Sequence, residues 1–283
     1  MRRRRFLGLA AGAALAVPAL ARARAAVPFR LGLTPVFLDN DALVLERLRT
    51  ALAEAMGGPI SLIQRRTYQE ITAAILDGSV DAAWICGFPF LQHRESLALL
   101  GVPVWHGRPL YQSYLIVRLE DDAEGLDDLR GAIHAFSDPD SNSGFLVTAS
   151  DLARMGETPE HFFARTVFTY GHRNVVRAVA GGLTRSGSVD GYVWQALSVV
   201  EPQLTAGTRI VARSEWLGFP PFAARADRMA DDDLRRFKTA LVGLNGTEAG
   251  RAALEMLFLD AIAPGDVRLF DGIAARMAEI ARR

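Results

Sequence analysis

The sequence predicts an α/β protein of two lobes, each a mainly parallel sheet flanked by helices, with two crossover segments forming a hinge. Three observations predict it. Short apolar runs alternate with helical patterns from Phe29 to Cys86, the alternation resumes from Ile133 to Arg213, and three helices after Phe222 have no strands of their own to cover. Alternating strands and helices make parallel sheets covered on both faces. Returning the last helices to the first unit gives lobe 1 as residues 26–112 and 225–283, and lobe 2 as residues 113–224.

The chain begins with what reads as an export signal over residues 1–25. Arg2 to Arg5 form its basic region, Leu7 to Leu20 its apolar stretch and Ala23-Arg24-Ala25 a small-x-small cleavage site. Arg3-Arg4-Arg5-Phe6-Leu7 fits the twin-arginine pattern, so a periplasmic location is expected. Retention as an anchor is the alternative, but 14 apolar residues containing Gly12 and Pro18 fall short of the roughly 20 that span a bilayer. Loss of the signal's six arginines leaves 26 basic against 32 acidic residues, a net charge of −6. A mildly acidic chain without a basic stripe excludes nucleic acid as a partner. The single cysteine, Cys86, allows no internal disulfide, so packing must supply the stability of a soluble, monomeric protein.

Phe29 to Leu33 is a strand ending at Thr34-Pro35. Asp39-Asn40-Asp41 caps a helix bearing Leu43, Leu45, Leu48, Leu52 and Met56, which Gly57-Gly58-Pro59 ends. Ile60 to Arg65 is the next strand, Thr67 caps a helix through Leu76, and Val80 to Cys86 is a third strand. Tyr111 to Arg118 is an extended crossover. Lobe 2 then reads as a strand at Ile133 to Ser137, a helix from Ser143 to Met155, a strand at Thr166 to Tyr170, a helix from Arg173 to Ala180, and strands at Val189 to Trp194 and Arg209 to Arg213. Phe222 to Arg225 is the extended return, and helices follow at Asp231 to Leu244, Glu248 to Phe258 and Phe270 to Ile280. The similar runs Val80-Asp81-Ala82-Ala83-Trp84 and Val189-Asp190-Gly191-Tyr192-Val193-Trp194 suggest one structural unit used once per lobe.

Ligands of open α/β sheets sit beyond the carboxyl ends of the strands. One such end is the string Asp138-Pro139-Asp140-Ser141-Asn142-Ser143-Gly144, a turn running into a helix. Serine, asparagine and glycine there point hydroxyls and unpaired backbone N–H groups at one spot, which binds an oxyanion without a lysine. By itself such a string is more often just a well-capped helix start.

With these elements in order, the chain from about Phe29 to Leu244 resembles the phosphonate, phosphite and phosphate binding proteins of ABC importers, which have the type II periplasmic binding protein fold. Thr67-Tyr68-Gln69-Glu70-Ile71 looks like the family's helix that brings a tyrosine to the ligand. Val80 to Trp84 followed by Gly87 is similar to its third strand and glycine loop. Asp138 to Gly144 resembles its Asp-Pro-x-Ser-x-Ser-Gly segment, Gly171-His172 its Gly-(Ser)-His step, and Gly187-Ser188-Val189-Asp190 its last contact strand.

The resemblance implies that Ser141 and Ser143, with backbone N–H groups near Asn142 and Gly144, hold the head group, that Tyr68 donates from the other lobe, and that His172 contacts ligand oxygens. His172 can donate in either protonation state, and a nearby anion favours the charged one. Thr34, Gly87, Trp194 and Gln195 are expected at strand ends facing the cleft, with Trp194 as wall or stacking surface. Gln195 stands where relatives that take aminoalkyl phosphonates tend to carry a carboxylate, so it argues against an aminoalkyl ligand. Phe37, Phe88, Phe90 and Trp194 suggest a bulkier tail.

Cys86 reads as inert lining, and Asp81 and Asp190 as turn residues. His93 and His106 have no ligand-like spacing, so neither metal nor cofactor is expected. No nucleophile elbow, phosphate-binding loop or Cys-His pair gives catalysis its machinery. The expected function is a periplasmic receptor for a small oxyanion that hands it to an ABC permease. The alternatives are a sulfonate, nitrate or other organic-ligand receptor of the same fold, a periplasmic partner of a sensor or dehydrogenase, and an enzyme such as a relative of pyrimidine-precursor synthases.

Overall fold

The computed structural model describes residues 27–35 and 42–282. The export signal, the Asp39-Asn40-Asp41 cap and Phe37 lie outside them.

In chain order the elements are β1 (Phe29–Leu33), α1 (Ala42–Met56), β2 (Ile60–Gln64), α2 (Tyr68–Leu76), β3 (Ala82–Trp84), α3 (Gly87–Gln92), β4 (Leu97–Val104), β5 (Leu110–Tyr111), β6 (Ser113–Arg118) and β7 (Ile133–Phe136). Then come α4 (Val147–Arg154), α5 (Pro159–Phe162), β8 (Arg165–Phe168), α6 (His172–Ala180), β9 (Ser186–Asp190), α7 (Gly191–Val200), α8 (Pro202–Thr205) and β10 (Thr208–Arg213). The chain closes with β11 (Leu217–Gly218), β12 (Phe222–Arg225), α9 (Asp232–Val242), α10 (Glu248–Met256), β13 (Ala261–Ala263) and α11 (Asp271–Ala281).

The first sheet runs β13-β4-β12-β3-β1-β2 and the second β10-β6-β9-β7-β8. Parallel pairing holds within β1, β2 and β3 and within β7, β8 and β9. The remaining pairs are antiparallel, so both sheets are mixed where mainly parallel ones were expected. The cause is the return of the chain. β12 comes back from the second sheet and lies antiparallel between β3 and β4. The two crossing segments also pair with each other, Leu217 opposite Tyr111 and Gly218 opposite Leu110. A side chain at Gly218 would meet Leu269 O at 2.6 Å and Phe270 Cδ1 at 2.7 Å, so the ribbon sits hard against the segment leading into α11.

Alternation along β6 puts Tyr114 and Ile116 in the large core and Leu115 and Val117 in a second core with Phe136, Leu152 and Phe162. The second sheet is thus covered on both faces. The large core extends through the first sheet, where Phe29 of β1 stacks on Phe237 of α9 at 4.4 Å. Of the final helices, α9 lies on the first sheet and α10 on α1, whereas α11 packs against α4, Arg276 Nη1 donating to Val147 O at 3.1 Å.

Four local readings change. Val189 to Trp194 is not a strand, because Asp190 ends β9 and caps α7, accepting from the Tyr192 and Val193 N–H groups at 2.8 and 3.2 Å. Trp194 therefore lies one helical turn beyond the sheet, whereas Trp84 lies within β3. Asp81 and Asp190 also part company, since Asp81 precedes its strand and pairs with Arg30 and Arg228. Gly87 opens the short helix α3 instead of a loop. The β4 run Leu97–Val104, which contains Gly101 and Pro103, is a strand that the turn-forming residues disguise.

Candidate functional site

β7 delivers the chain to Ser137 at the edge of the second sheet facing the first. Asp138 folds the turn, its Oδ1 accepting from Asp140 N–H at 2.8 Å and its carbonyl from Ser141 N–H at 3.0 Å. Ser141 is the N-cap, its Oγ accepting from Gly144 N–H at 3.0 Å. Before α4 the helix is one residue wider than usual, with Leu146 N–H bonded to Ser141 O at 3.0 Å and Val147 N–H to Asn142 O. Such widened turns recur at functional sites. Gly144 is required here. A Cβ at that position would lie 1.8 Å from Ser137 Oγ and 3.0 Å from His172 Cε1, so Ser137, Gly144 and His172 converge on one point.

Across from this turn stands α2. A capping box of Thr67 and Glu70 fixes its first turn and so the direction of Tyr68. Tyr68 N–H donates to Asp138 Oδ2 at 3.2 Å, and Tyr68 Oη lies 3.1 Å from His172 Nε2. The tautomer of His172 follows from its other nitrogen. Asp190 N–H donates to His172 Nδ1 at 3.0 Å, so Nδ1 carries a lone pair and Nε2 carries the proton. Nε2–H then donates to Tyr68 Oη, and the phenol keeps its own hydrogen to give. Burial pushes the His172 pKa down to about 3. Of the two protonation states left open by the sequence, the imidazole takes the neutral one, because it is enclosed and its Nδ1 faces a donor.

The remaining contacts tie the same turn to the first sheet and to the crossing ribbon. Asn142 N–H donates to Cys86 Sγ at 3.2 Å, and Asn142 Nδ2 donates to Tyr111 Oη at 2.8 Å. Ser113 Oγ donates to Ser143 O at 2.6 Å. Cys86 is lining whose thiol burial pushes up to about 12, which leaves it unreactive. Burial also raises Asp138 and takes Asp190 to about 7.

Two buried polar atoms of this cluster, Ser137 Oγ and Asn142 Oδ1, have no partner among the described residues. Native proteins seldom leave such atoms orphaned without a use. Ser141 Oγ and Tyr68 Oη each accept a bond and retain a hydrogen. Ser137, Ser141 and Tyr68 thus hold three unspent hydroxyl hydrogens, with Asn142 Oδ1 as an unspent acceptor. Ser141, Asn142 and Ser143 are themselves closed off from solvent.

The structure brings together Tyr68, Ser141, Asn142, Ser143, Gly144 and His172. It does not bring Trp194 or Gln195 to them. Trp194 Nε1 donates to Thr208 Oγ1 at 3.1 Å and Gln195 Nε2 to Tyr114 Oη at 2.7 Å, both from the α7 turn that the sequence disguised as strand. Thr34 is bound to Trp84 O through N–H and Oγ1, at 3.2 and 3.1 Å. Gly87 is small for packing, since a Cβ there would meet Ile273 Cδ1 at 2.7 Å. Ser137, Tyr111 and Ser113 were missed as site residues. Ser137 stands one residue before the motif, and its position at a strand end was the available signal.

Outside the Tyr68–His172 pair, a cleft of about 400 Å³ opens between the sheets, lined by Gln64, Arg65 and Arg66 on one side and Thr169, Tyr170 and Asn174 on the other. Among the described residues no group of three or more histidine, cysteine or acidic side chains converges as a metal site, and no helix is long and apolar enough to cross a membrane.

A model of the ABC-transporter phosphonate periplasmic substrate-binding proteins matches residues 31–269. No curated protein matches the chain. Among solved structures, a binding-protein component of an ABC phosphonate transporter from Pseudomonas aeruginosa is 18% identical with a TM-score of 0.83, over 90% of this chain and 87% of that one. PhnD1 from Prochlorococcus marinus in complex with methylphosphonate is 16% identical at a TM-score of 0.78, over 90% and 98%. The periplasmic aliphatic sulphonate binding protein of Escherichia coli is more distant, 16% identical at a TM-score of 0.58, over 90% and 85%. At these identities the likeness is one of fold.

Proposed function

The chain belongs to the periplasmic substrate-binding proteins of ABC phosphonate transporters, and from that membership we propose that it captures a phosphonate head group at Ser137, Ser141, Ser143 and Tyr68, with His172 behind Tyr68. The observation that carries this reading is the set of three unspent hydroxyl hydrogens, with the unpartnered Asn142 Oδ1, enclosed where the two sheets meet. Hydroxyl donors in a dry site serve an oxyanion well, because hydrogen bonds to a charged partner are the strong ones. His172 acts by orienting the Tyr68 phenol.

Entry requires the halves to part. Tyr68 to His172, Tyr68 to Asp138 and Cys86 to Asn142 all cross between the sheets, and the paired segments Leu110–Tyr111 and Leu217–Gly218 form the hinge. Ligand replaces these direct contacts with bridged ones, and the closed form is the one a permease reads. The chain is exported by the twin-arginine route, acts as a monomer, performs no catalysis and takes no nucleic acid.

Asn142 Oδ1 favours phosphonate over sulfonate. An unpaired acceptor beside an anion gains a bond from a P–OH hydrogen, and a sulfonate at neutral pH has none to give. Thermal-shift titration of the purified protein with methylphosphonate, phosphite, phosphate, methanesulfonate and nitrate tests the reading. A ligand at one hundred times its dissociation constant is expected to add about 2.7 kcal/mol. Stabilisation by methylphosphonate is the expected result. Stabilisation by methanesulfonate or nitrate alone would reassign the receptor, and binding of none of the five would end it.

A further inference from the structure

The cleft outside the Tyr68–His172 pair has a chemistry of its own. Arg65 and Arg66 leave β2 side by side, both exposed to the cleft, and no carboxylate among the described residues pairs with either guanidinium. Arg65 Nη1 donates to the neighbouring Gln64 carbonyl at 2.9 Å, and only the backbone N–H of Arg66 uses the Glu70 carboxylate. Other arginines are neutralised closely, Arg276, Arg228 and Arg185 each holding two acidic partners. Two adjacent guanidiniums with no carboxylate partner among the described residues hold positive potential over the cleft.

The opposite wall is fixed. Tyr170 has φ of 52°, a left-handed conformation that glycine or asparagine adopts far more readily than tyrosine. It is held there from both sides. Thr169 Oγ1 donates to Gly171 O at 3.0 Å, and Asn174 Nδ2 donates to Thr169 O at 3.1 Å. Tyr170 stays 47% exposed and lines the cleft, so this conformation is not adopted to bury the residue. Strain kept by a network of surrounding bonds is a mark of functional positions. Arg66 and Tyr170 each precede a member of the bridging pair by two residues, which places the cleft directly outside the head-group site.

We propose that this cleft is a second subsite that takes an acidic group on the far end of the ligand, so that the preferred substrates are phosphonates bearing a carboxylate or a second phosphoryl group. The proposal rests on the head-group site described above. Arg65 and Arg66 supply planar donors for the distal anion, and Tyr170 covers the linking carbons.

The test is isothermal titration of 3-phosphonopropionate, methylphosphonate and 2-aminoethylphosphonate into the wild-type protein and the double variant Arg65→Gln/Arg66→Gln, whose melting temperature reports its folding. Both arginines are exposed, so the variant is expected to fold. The wild-type protein is expected to bind 3-phosphonopropionate about tenfold more tightly than methylphosphonate, a margin suited to one charge-assisted bond at a partly solvated site. The double variant is expected to lose that margin and keep its methylphosphonate affinity within about twofold, as for a surface change away from the head group. Equal wild-type affinities, a margin that survives in the variant, or preference for 2-aminoethylphosphonate would overturn the second subsite while leaving the head-group reading intact. Failure of the wild-type protein to bind any of the three would overturn both.

Discussion

The backbone N–H of Asp190 donates to Nδ1 of His172 at 3.0 Å, and this single bond determines what Tyr68 has left to offer a ligand. With Nδ1 accepting, Nε2 is the donor, Tyr68 Oη is an acceptor, and the phenolic hydrogen is unused. In the proposed site, His172 thereby sets the polarity of Tyr68.

Tyr68→Phe removes that hydrogen while keeping the ring in its buried position. Affinity for methylphosphonate is expected to fall by about 1–3 kcal/mol, the range for a lost bond to a charged group. Titration calorimetry measures it. Unchanged affinity would remove Tyr68 from the site.

Ser137→Ala is expected to separate stability from binding. The Ser137 hydroxyl is buried and unpartnered without ligand, so its removal should raise the unfolding free energy by about 1 kcal/mol. The same change should weaken methylphosphonate binding about tenfold. Urea unfolding paired with calorimetry reads both signs, and a loss of stability would show that the hydroxyl has a structural bond.

Gly144→Ala places a methyl 1.8 Å from Ser137 Oγ and 2.7 Å from Ser137 Cβ. The widened turn must move, at a cost of about 3 kcal/mol. Gly58→Ala meets nothing within 4 Å and is the control expected to stay within about 0.5 kcal/mol of wild type. Chemical denaturation of the two variants distinguishes local crowding from a general intolerance of alanine.

Asp190 is expected to tilt stability against pH. Burial raises its folded pKa to about 7, well above the ordinary carboxylate value, so the folded state holds the extra proton between these limits. Its contribution is complete below about pH 4 and is lost as pH rises through about 7. Asp190→Asn keeps an oxygen for the Tyr192 and Val193 N–H groups and removes the charge. The variant should match wild type near pH 4 and exceed it by roughly 4 kcal/mol at pH 8. His172 acts in the opposite sense, its contribution being lost as pH falls from about 6.5 towards 3, but it is common to both proteins and cancels in the difference. Denaturation midpoints across pH check the divergence.

Much of the fold was legible because it is written in local rules. The capping box at Thr67, the glycine stop after Met56 and the apolar run of β1 each concern neighbours in the chain. The misread segment, Val189 to Trp194, shows where those rules stop. A β-branched and aromatic stretch favours strand, yet Asp190 caps a helix once β9 has used its sheet neighbours. Trp194 and Gln195 were assigned to the cleft through that error.

The sequence by itself determined the alternation of strands and helices, the tight turn at Asp138 to Gly144 and the serine-rich helix start, because each depends on residues a few positions apart. Only the tertiary structure decided that Tyr68 meets His172 across 104 positions, that Asp190 fixes the imidazole tautomer and that Ser137 is left without a partner. Those facts depend on how two sheets approach one another, and no short-range pattern encodes the distance between groups that only folding brings together.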